Sequence, residues 1–106
     1  YMAAIDALDK ASNDPDPEIR CAVMRASARL GHPAATRWIM MGLADPVPSV
    51  RLQAIAASVR MGLRKAVPAI TQLRHDPELW VRLRAEQALE QLAPVADGTQ
   101  QALPVA

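Results

Sequence analysis

The dipeptide Asp-Pro recurs at one fixed interval along the chain. It stands at Asp14-Pro15, Asp45-Pro46 and Asp76-Pro77, with a separation of 31 residues each time. Superposing the chain on itself at that offset also aligns small, apolar and arginine positions. The aligned sets are Leu8, Ile39 and Ile70; Ile19, Val50 and Val81; Arg20, Arg51 and Arg82; Val23, Ala54 and Ala85; Ala26, Ala57 and Ala88; and Leu30, Met61 and Leu92. So many coincidences indicate a true internal repeat of three units.

Each unit is predicted to contain two α-helices. In the second half of the first unit the apolar positions are Ile19, Val23, Ala26 and Leu30, which lie on one face of a helix. The equivalent positions of the other two units keep this spacing. The first helix of each unit is predicted over residues 2–12, 33–44 and 65–75.

The ends of the second helices carry helix-terminus signals. The Asp of each Asp-Pro is predicted to be the N-cap, with the Pro in the first turn, where a missing N–H costs nothing. Gly31 and Gly62 are predicted to end the first two of these helices in a left-handed conformation.

The sequence therefore predicts an all-α chain, a right-handed α-solenoid of about three helical hairpins. The units span about residues 1–31, 32–62 and 63–93, and residues 94–106 are predicted to form an irregular or flexible tail. A hairpin cannot bury its apolar face alone, so stacking must supply the core. The shortage of aromatic residues (Tyr1, Trp38 and Trp80, with no Phe) suits closely packed, Ala-rich helices.

Composition narrows the classes of function and location. The net charge of +1 lacks the electrostatic signature of a general nucleic-acid binder. The one cysteine, Cys21, cannot form an internal disulfide, and the sequence shows no apolar run of membrane-spanning length. No charged start followed by an apolar segment reads as a signal peptide, so none is expected. The default expectation is a cytoplasmic protein. A first residue of Tyr1 instead of Met fits an excised piece of a longer chain.

These motifs resemble the HEAT repeats, specifically the short kind found in phycobiliprotein-lyase-like (E–Z type) proteins. The third unit matches best, through Ala66-Val67-Pro68-Ala69-Ile70, Asp76-Pro77 and Val81-Arg82. The second unit departs at Thr36-Arg37-Trp38, and the first lacks the Ala-Val-Pro-Ala element. The resemblance covers about residues 2–93.

The resemblance implies that the second helices line a concave surface. It also implies a hydrogen-bonded ladder between units, in which the turn aspartates work with the arginines that follow the valine-type position. The residues of this ladder would be Asp14, Asp45 and Asp76 with Arg20, Arg51 and Arg82. A planar guanidinium suits this role because it can bind a carboxylate through two parallel hydrogen bonds.

The residues give no pattern of catalysis, so the chain is predicted not to be an enzyme and to need no cofactor or metal. His32 and His75 lie at hairpin turns, far from any second residue at metal-ligand spacing. Cys21 has two arginines nearby but no histidine to serve as a base, and it is interpreted as a small core residue. Trp38 is expected to cover the core, while Trp80 stands at a helix start.

Two features remain as candidates for a binding surface. The second helices carry seven of the ten arginines, so their concave wall is predicted to be mildly basic, most of all in units one and two. They are also apolar on more than one face, which means either burial by neighbouring units or an open groove for an amphipathic helix. The predicted binding residues are Met24, Arg25, Leu52, Ile55, Val59 and Leu83.

The leading functional hypothesis is a scaffold or adaptor that binds a segment of another protein on its concave face. Self-association through exposed end repeats is a second possibility for the partner. The first alternative is a subunit of a lyase-like enzyme, as the resemblance implies. The weaker alternative is a nucleic-acid-binding module, whose affinity would fall steeply with salt.

Overall fold

The computed structural model describes residues 2–92, and within them all regular structure is helical. Three helical hairpins follow one another as an α-solenoid. The first helices are α1 (Met2–Ala11), α3 (Ala35–Leu43) and α5 (Val67–Gln72); the second helices are α2 (Pro17–Leu30), α4 (Pro48–Met61) and α6 (Leu79–Leu92). No helix of this part of the chain is long and apolar enough to cross a membrane. The predicted tail, residues 94–106, lies outside the described residues.

The C-terminal ends of α2 and α4 confirm the role predicted for the two glycines. Gly31 and Gly62 have φ values of 62° and 63°, a left-handed conformation in which a side chain is strained. Each glycine also donates its N–H to a carbonyl of the preceding turn, from Gly31 to Ser27 O at 3.1 Å and from Gly62 to Val59 O at 3.0 Å. These bonds satisfy carbonyls that a helix end would otherwise leave unpaired.

The N-terminal ends correct the prediction made for the aspartates. The N-cap of α2 is Asp16, whose carboxylate accepts the Glu18 N–H at 2.9 Å, and the N-cap of α4 is Val47. The Asp-Pro aspartates stand earlier, and each accepts the N–H two residues on: Asp14 from Asp16, Asp45 from Val47 and Asp76 from Glu78, at 2.8–2.9 Å. This Asx turn shapes the loop before the helix. One carboxylate oxygen is enough for it, which leaves the other free to bind elsewhere.

The first helix of the third unit is shorter than predicted. Only Val67–Gln72 is α-helical, and it is flanked by two 3₁₀ turns, Arg64–Ala66 and Leu73–His75. Pro68 stands in its first turn and has no N–H for the carbonyl of residue 64. The chain there closes the tighter bond from the Val67 N–H to Arg64 O instead.

The core is the layer in which each second helix packs on the next, with the first helices against one side. Val50 and Val81 are fully buried, and so are Trp38, Ile39 and Ile70. Two buried serines, Ser27 and Ser58, donate to the carbonyls four residues earlier, so they add no unpaired polar group to this layer.

One position of the predicted apolar stripe is not in the core. Ile19 is 39% exposed, although its equivalents Val50 and Val81 are 0% exposed. The reason is its place in the stack. Val50 and Val81 are covered by the second helix of the unit before them, and Ile19 has no such helix before it within the described residues.

Candidate functional site

An arginine-aspartate ladder joins consecutive units along the stack. Arg20, near the start of α2, reaches the turn before α4 and binds the Asp45 carboxylate through Nε (2.8 Å) and a terminal nitrogen (3.0 Å). Its other terminal nitrogen donates to its own turn, to Asp14 O at 2.9 Å and Pro15 O at 3.1 Å. One side chain therefore fixes the turn of its own unit and the turn of the next.

The second rung repeats this arrangement with more burial. Arg51 donates to the Asp76 carboxylate at 2.9 Å, its Nε lies 2.8 Å from the other carboxylate oxygen, and it donates to Asp45 O at 2.8 Å. The two charged side chains are only 10% and 4% exposed. A buried pair of this kind makes the orientation of the two units specific, because either charge alone would be costly to bury.

The environment of the first rung favours its charged form. Burial raises the pKa of Asp45, but the hydrogen bonds from Arg20 and from the Val47 N–H, with the charges of Arg20 and Arg51, outweigh it and hold the pKa below its usual value. The pKa of Arg20 is raised, chiefly by the same hydrogen bond to Asp45. Both groups are therefore ionised at neutral pH.

A basic groove runs between α2 and α4 on the face that the first helices leave open. Eight side chains line it, and we call it the arginine groove: Met24, Arg25, Ala28, Arg29, Gln53, Ala56, Ala57 and Arg60. It encloses about 180 Å³, and none of these eight residues is acidic. Arg25, Arg29 and Arg60 are exposed, while Met24 and Ala57 are buried at its floor. The groove thus offers three cations above an apolar base.

An equivalent groove lies between α4 and α6 but has a different charge. Its lining residues are Ile55, Ala56, Val59, Arg84, Gln87, Ala88 and Gln91. Each of these seven residues lies 31 positions after a residue that lines the arginine groove, so the two grooves occupy equivalent places in the repeat. Arg84 is the one cation among these seven residues, and the basic character is concentrated between units one and two.

The six predicted binding residues differ in their exposure to solvent. Met24 and Ile55 are each 2% exposed and lie in the core, so they present almost no surface to a partner. Leu52 and Val59 are half-buried against the same core. Arg25 and Leu83 are exposed, but they stand on different helices, Arg25 at the arginine groove and Leu83 on α6. The apolar positions on the second faces of these helices mostly serve stacking.

Several groove residues escaped prediction as binding residues. Arg29 and Arg60 are among the seven arginines that the sequence places on the second helices, whereas Gln53 and Ala56 belong to neither predicted feature. The repeat register contained the signal, because residues 25, 56 and 87 are equivalent and so are 29, 60 and 91. The first set is Arg25, Ala56 and Gln87 and the second is Arg29, Arg60 and Gln91, so both sets change from arginine in the first unit to glutamine in the third.

The remaining candidates lie in structural positions. Trp38 is fully buried and donates from Nε1 to the Asp9 carboxylate at 2.9 Å, and this hydrogen bond is the main cause of the lowered pKa of Asp9. Trp80 is 64% exposed. Cys21 is buried with its sulfur 3.7 Å from Ser49 Oγ, and His32 accepts the Ala34 N–H in its turn. Residues 2–92 contain no cluster of three or more His, Cys, Asp or Glu side chains that could hold a metal ion.

Comparison with known proteins agrees with this architecture. No curated protein matches the sequence. The family model described as HEAT repeats matches residues 3–90, which include all three hairpins and both complete rungs of the ladder. The chain therefore belongs to the HEAT repeat family.

Proposed function

We propose that the chain is a protein-interaction module whose arginine groove binds an acidic segment of a partner protein. Members of its family are commonly interaction scaffolds, and the proposal gives that general role a surface and a chemistry. The observation that carries it is the convergence of Arg25, Arg29 and Arg60 on one groove whose lining has no acidic residue. The lining therefore contains no carboxylate that could neutralise the three arginines.

The shape and spacing of the groove favour a helical segment. Arg25 and Arg29 stand one helical turn apart on α2, and Arg60 faces them from α4. Carboxylates at positions i and i+4 of a partner helix share one face and can meet two such arginines. The half-buried Ala28 and the exposed Ala56 provide apolar surface in the same groove for a small apolar side chain of the partner, as in other helix-in-groove complexes.

Two finer proposals accompany this one. We propose that the repeats are of the short phycobiliprotein-lyase-like kind, supported by the residues of the third unit; a lyase-like subunit would hold its substrate on the same face. We also propose a cytoplasmic location, since the lone cysteine, Cys21, is buried as a free thiol. A nucleic acid is the competing ligand for the groove, because phosphates also bind arginine.

The test is fluorescence anisotropy with a labelled Ala-rich helical peptide that carries glutamates at i and i+4. Its counterpart with glutamines reports binding that needs no charge, and a single-stranded oligonucleotide reports the competing ligand. We expect the glutamate peptide to bind best. Arg60→Glu should weaken it by about fivefold or more, because reversing a charge replaces an attraction by a repulsion of about 1 kcal/mol.

Arg64→Glu provides the matched control. Arg64 is exposed, lies in the connection between α4 and α5, and does not line the groove, yet its reversal changes the net charge equally. Equal affinity for the glutamate and glutamine peptides, or equal effects of the two variants, would refute the proposal. Tighter binding of the oligonucleotide would replace it with the nucleic-acid function.

A further inference from the structure

The two ends of the ladder carry groups of opposite charge, Arg82 and Asp14, that form no ion pair within residues 2–92. Arg82 donates to Asp76 O at 2.8 Å and Pro77 O at 3.1 Å, as Arg20 does to the two equivalent carbonyls and Arg51 to the first of them, but it meets no carboxylate in the described chain. At the opposite end the Asp14 carboxylate accepts the Asp16 N–H and forms no ion pair there. One end of the stack thus presents a guanidinium and the other the carboxylate that would receive it.

The apolar residues at the two ends show the same relation. Ile19 is 39% exposed at the N-terminal end, where its equivalents Val50 and Val81 are buried by a preceding unit. Leu83 is 44% exposed at the C-terminal end, where its equivalents are the buried Cys21 and the half-buried Leu52. Both would become buried if another unit continued the stack.

The repeat register identifies the charges that such a continuation would bring together. Across the α4–α6 groove, Ile55 and Val59 face Gln87 and Gln91. One period further on, the residues equivalent to Ile55 and Val59 are Glu86 and Glu90, both exposed on α6. At the N-terminal end, the residues equivalent to Gln87 and Gln91 are Arg25 and Arg29, both exposed on α2.

We infer that a second copy of the chain stacks head-to-tail on the first, with α6 of one copy packed on α2 of the next as α4 packs on α6. In this arrangement Glu86 and Glu90 lie opposite the second copy's Arg25 and Arg29. Arg82 binds the second copy's Asp14 as Arg51 binds Asp76. The charges at both ends favour another copy of this chain, because each end carries the opposite sign at the equivalent positions.

A contact of this type joins unlike surfaces, so a dimer still presents one surface of each kind. The second copy offers its own Glu86, Glu90 and Arg82 to a third copy, and the association continues beyond the dimer. The contact uses Arg25 and Arg29, which also line the arginine groove, together with Glu86, Glu90 and Arg82, which do not. Substitutions at Glu86 and Glu90 therefore test the stacking without changing the groove of the function proposed above.

Analytical ultracentrifugation of the full chain at increasing concentration tests the inference. The average mass should rise steadily up to about 1 mM without a plateau at the dimer, and added salt should lower it. Glu86→Arg/Glu90→Arg and Arg25→Glu/Arg29→Glu should each weaken association by about tenfold or more, because like charges then face each other. An equimolar mixture of the two variants should recover it, since the reversed ends match again.

Arg64→Glu/Lys65→Glu is the control that changes the net charge as Arg25→Glu/Arg29→Glu does but lies outside α2 and α6, and it should associate like the unaltered chain. Circular dichroism at 222 nm checks that every variant is folded. A monomer at all concentrations, a mass that stops at the dimer, or a mixture that stays monomeric would each overturn the inference. Glu86→Arg/Glu90→Arg retains the arginine groove, so its binding of the glutamate peptide reports the proposed function separately.

Discussion

Replacing Arg51 by methionine should cost far more stability than the same replacement at Arg82. The two arginines occupy equivalent positions and make the same bond to the carbonyl of their own turn, at 2.8 Å. They differ in the carboxylate: Arg51 pairs with Asp76, whose side chain is 4% exposed, and Arg82 has no such partner within residues 2–92. The comparison therefore isolates the contact between units.

The magnitude follows from what each substitution leaves behind. Arg51→Met keeps the aliphatic stem but leaves a buried carboxylate without its cation, and breaking a buried pair in this way costs about 3–5 kcal/mol. Arg82→Met removes hydrogen bonds to two carbonyls that water can replace, at about 1 kcal/mol. With a urea dependence of about 2 kcal/mol/M, the midpoints should fall by about 2 M and about 0.5 M.

Urea unfolding followed by circular dichroism at 222 nm measures both changes. Arg20→Met should resemble Arg51→Met more than Arg82→Met, because its pair with Asp45 is also largely buried, at 15% and 9% exposure of the two side chains. Equal midpoint shifts for Arg51→Met and Arg82→Met would refute the reasoning. They would mean that the contact between units adds nothing beyond the bond within a unit.

Two further predictions concern the carboxylates. The pKa of Asp45 is lower in the folded chain than in the unfolded chain, so its pairing with Arg20 stabilises the fold above a pH of about 4. This contribution is lost as the pH falls below that value. Asp45→Asn should therefore make the free energy of unfolding fall less steeply with acid, and an unchanged acid profile would contradict the assignment. Asp9→Ala should lower the midpoint of thermal or urea unfolding, because the Nε1–H of the buried Trp38 loses its acceptor, whereas Asp6→Ala on the exposed part of the same helix should leave the midpoint nearly unchanged. Equal shifts for the two variants would contradict this explanation.

The fold could be predicted from the sequence because the same pattern of apolar, Asp-Pro and arginine positions recurs in three units. The apolar spacing predicted the helices and the two glycines predicted where α2 and α4 end, whereas the N-caps and the length of α5 were predicted wrongly. The aspartates misled because Asp is favoured both as an N-cap and in an Asx turn, and the residue two positions on decides between them. In the first unit that residue is Asp16, a second competent cap.

The candidate site was harder to predict because burial depends on a residue's place in the stack as well as on its type. Met24 and Ile55 look like groove residues on a helical wheel, yet a neighbouring unit covers both. Ile19 looks like a core residue and is exposed because no second helix of a preceding unit packs on it within the described residues. The hydrogen bond between Asp9 and Trp38 joins residues 29 positions apart, and the sequence repeat gives no sign of it because Trp38 has no equivalent tryptophan in the other units.

The two rungs of the ladder have almost the same geometry, and this makes the joints between hairpins interchangeable. Arg20 meets Asp45 and Arg51 meets Asp76, each with Nε 2.8 Å from the carboxylate. A duplication or deletion of 31 residues in the gene would therefore restore an arginine opposite an aspartate at the new joint. A change whose length is not a multiple of 31 residues would leave the arginine facing an unrelated residue. Such a chain can evolve in length by whole hairpins while every surviving joint keeps its register.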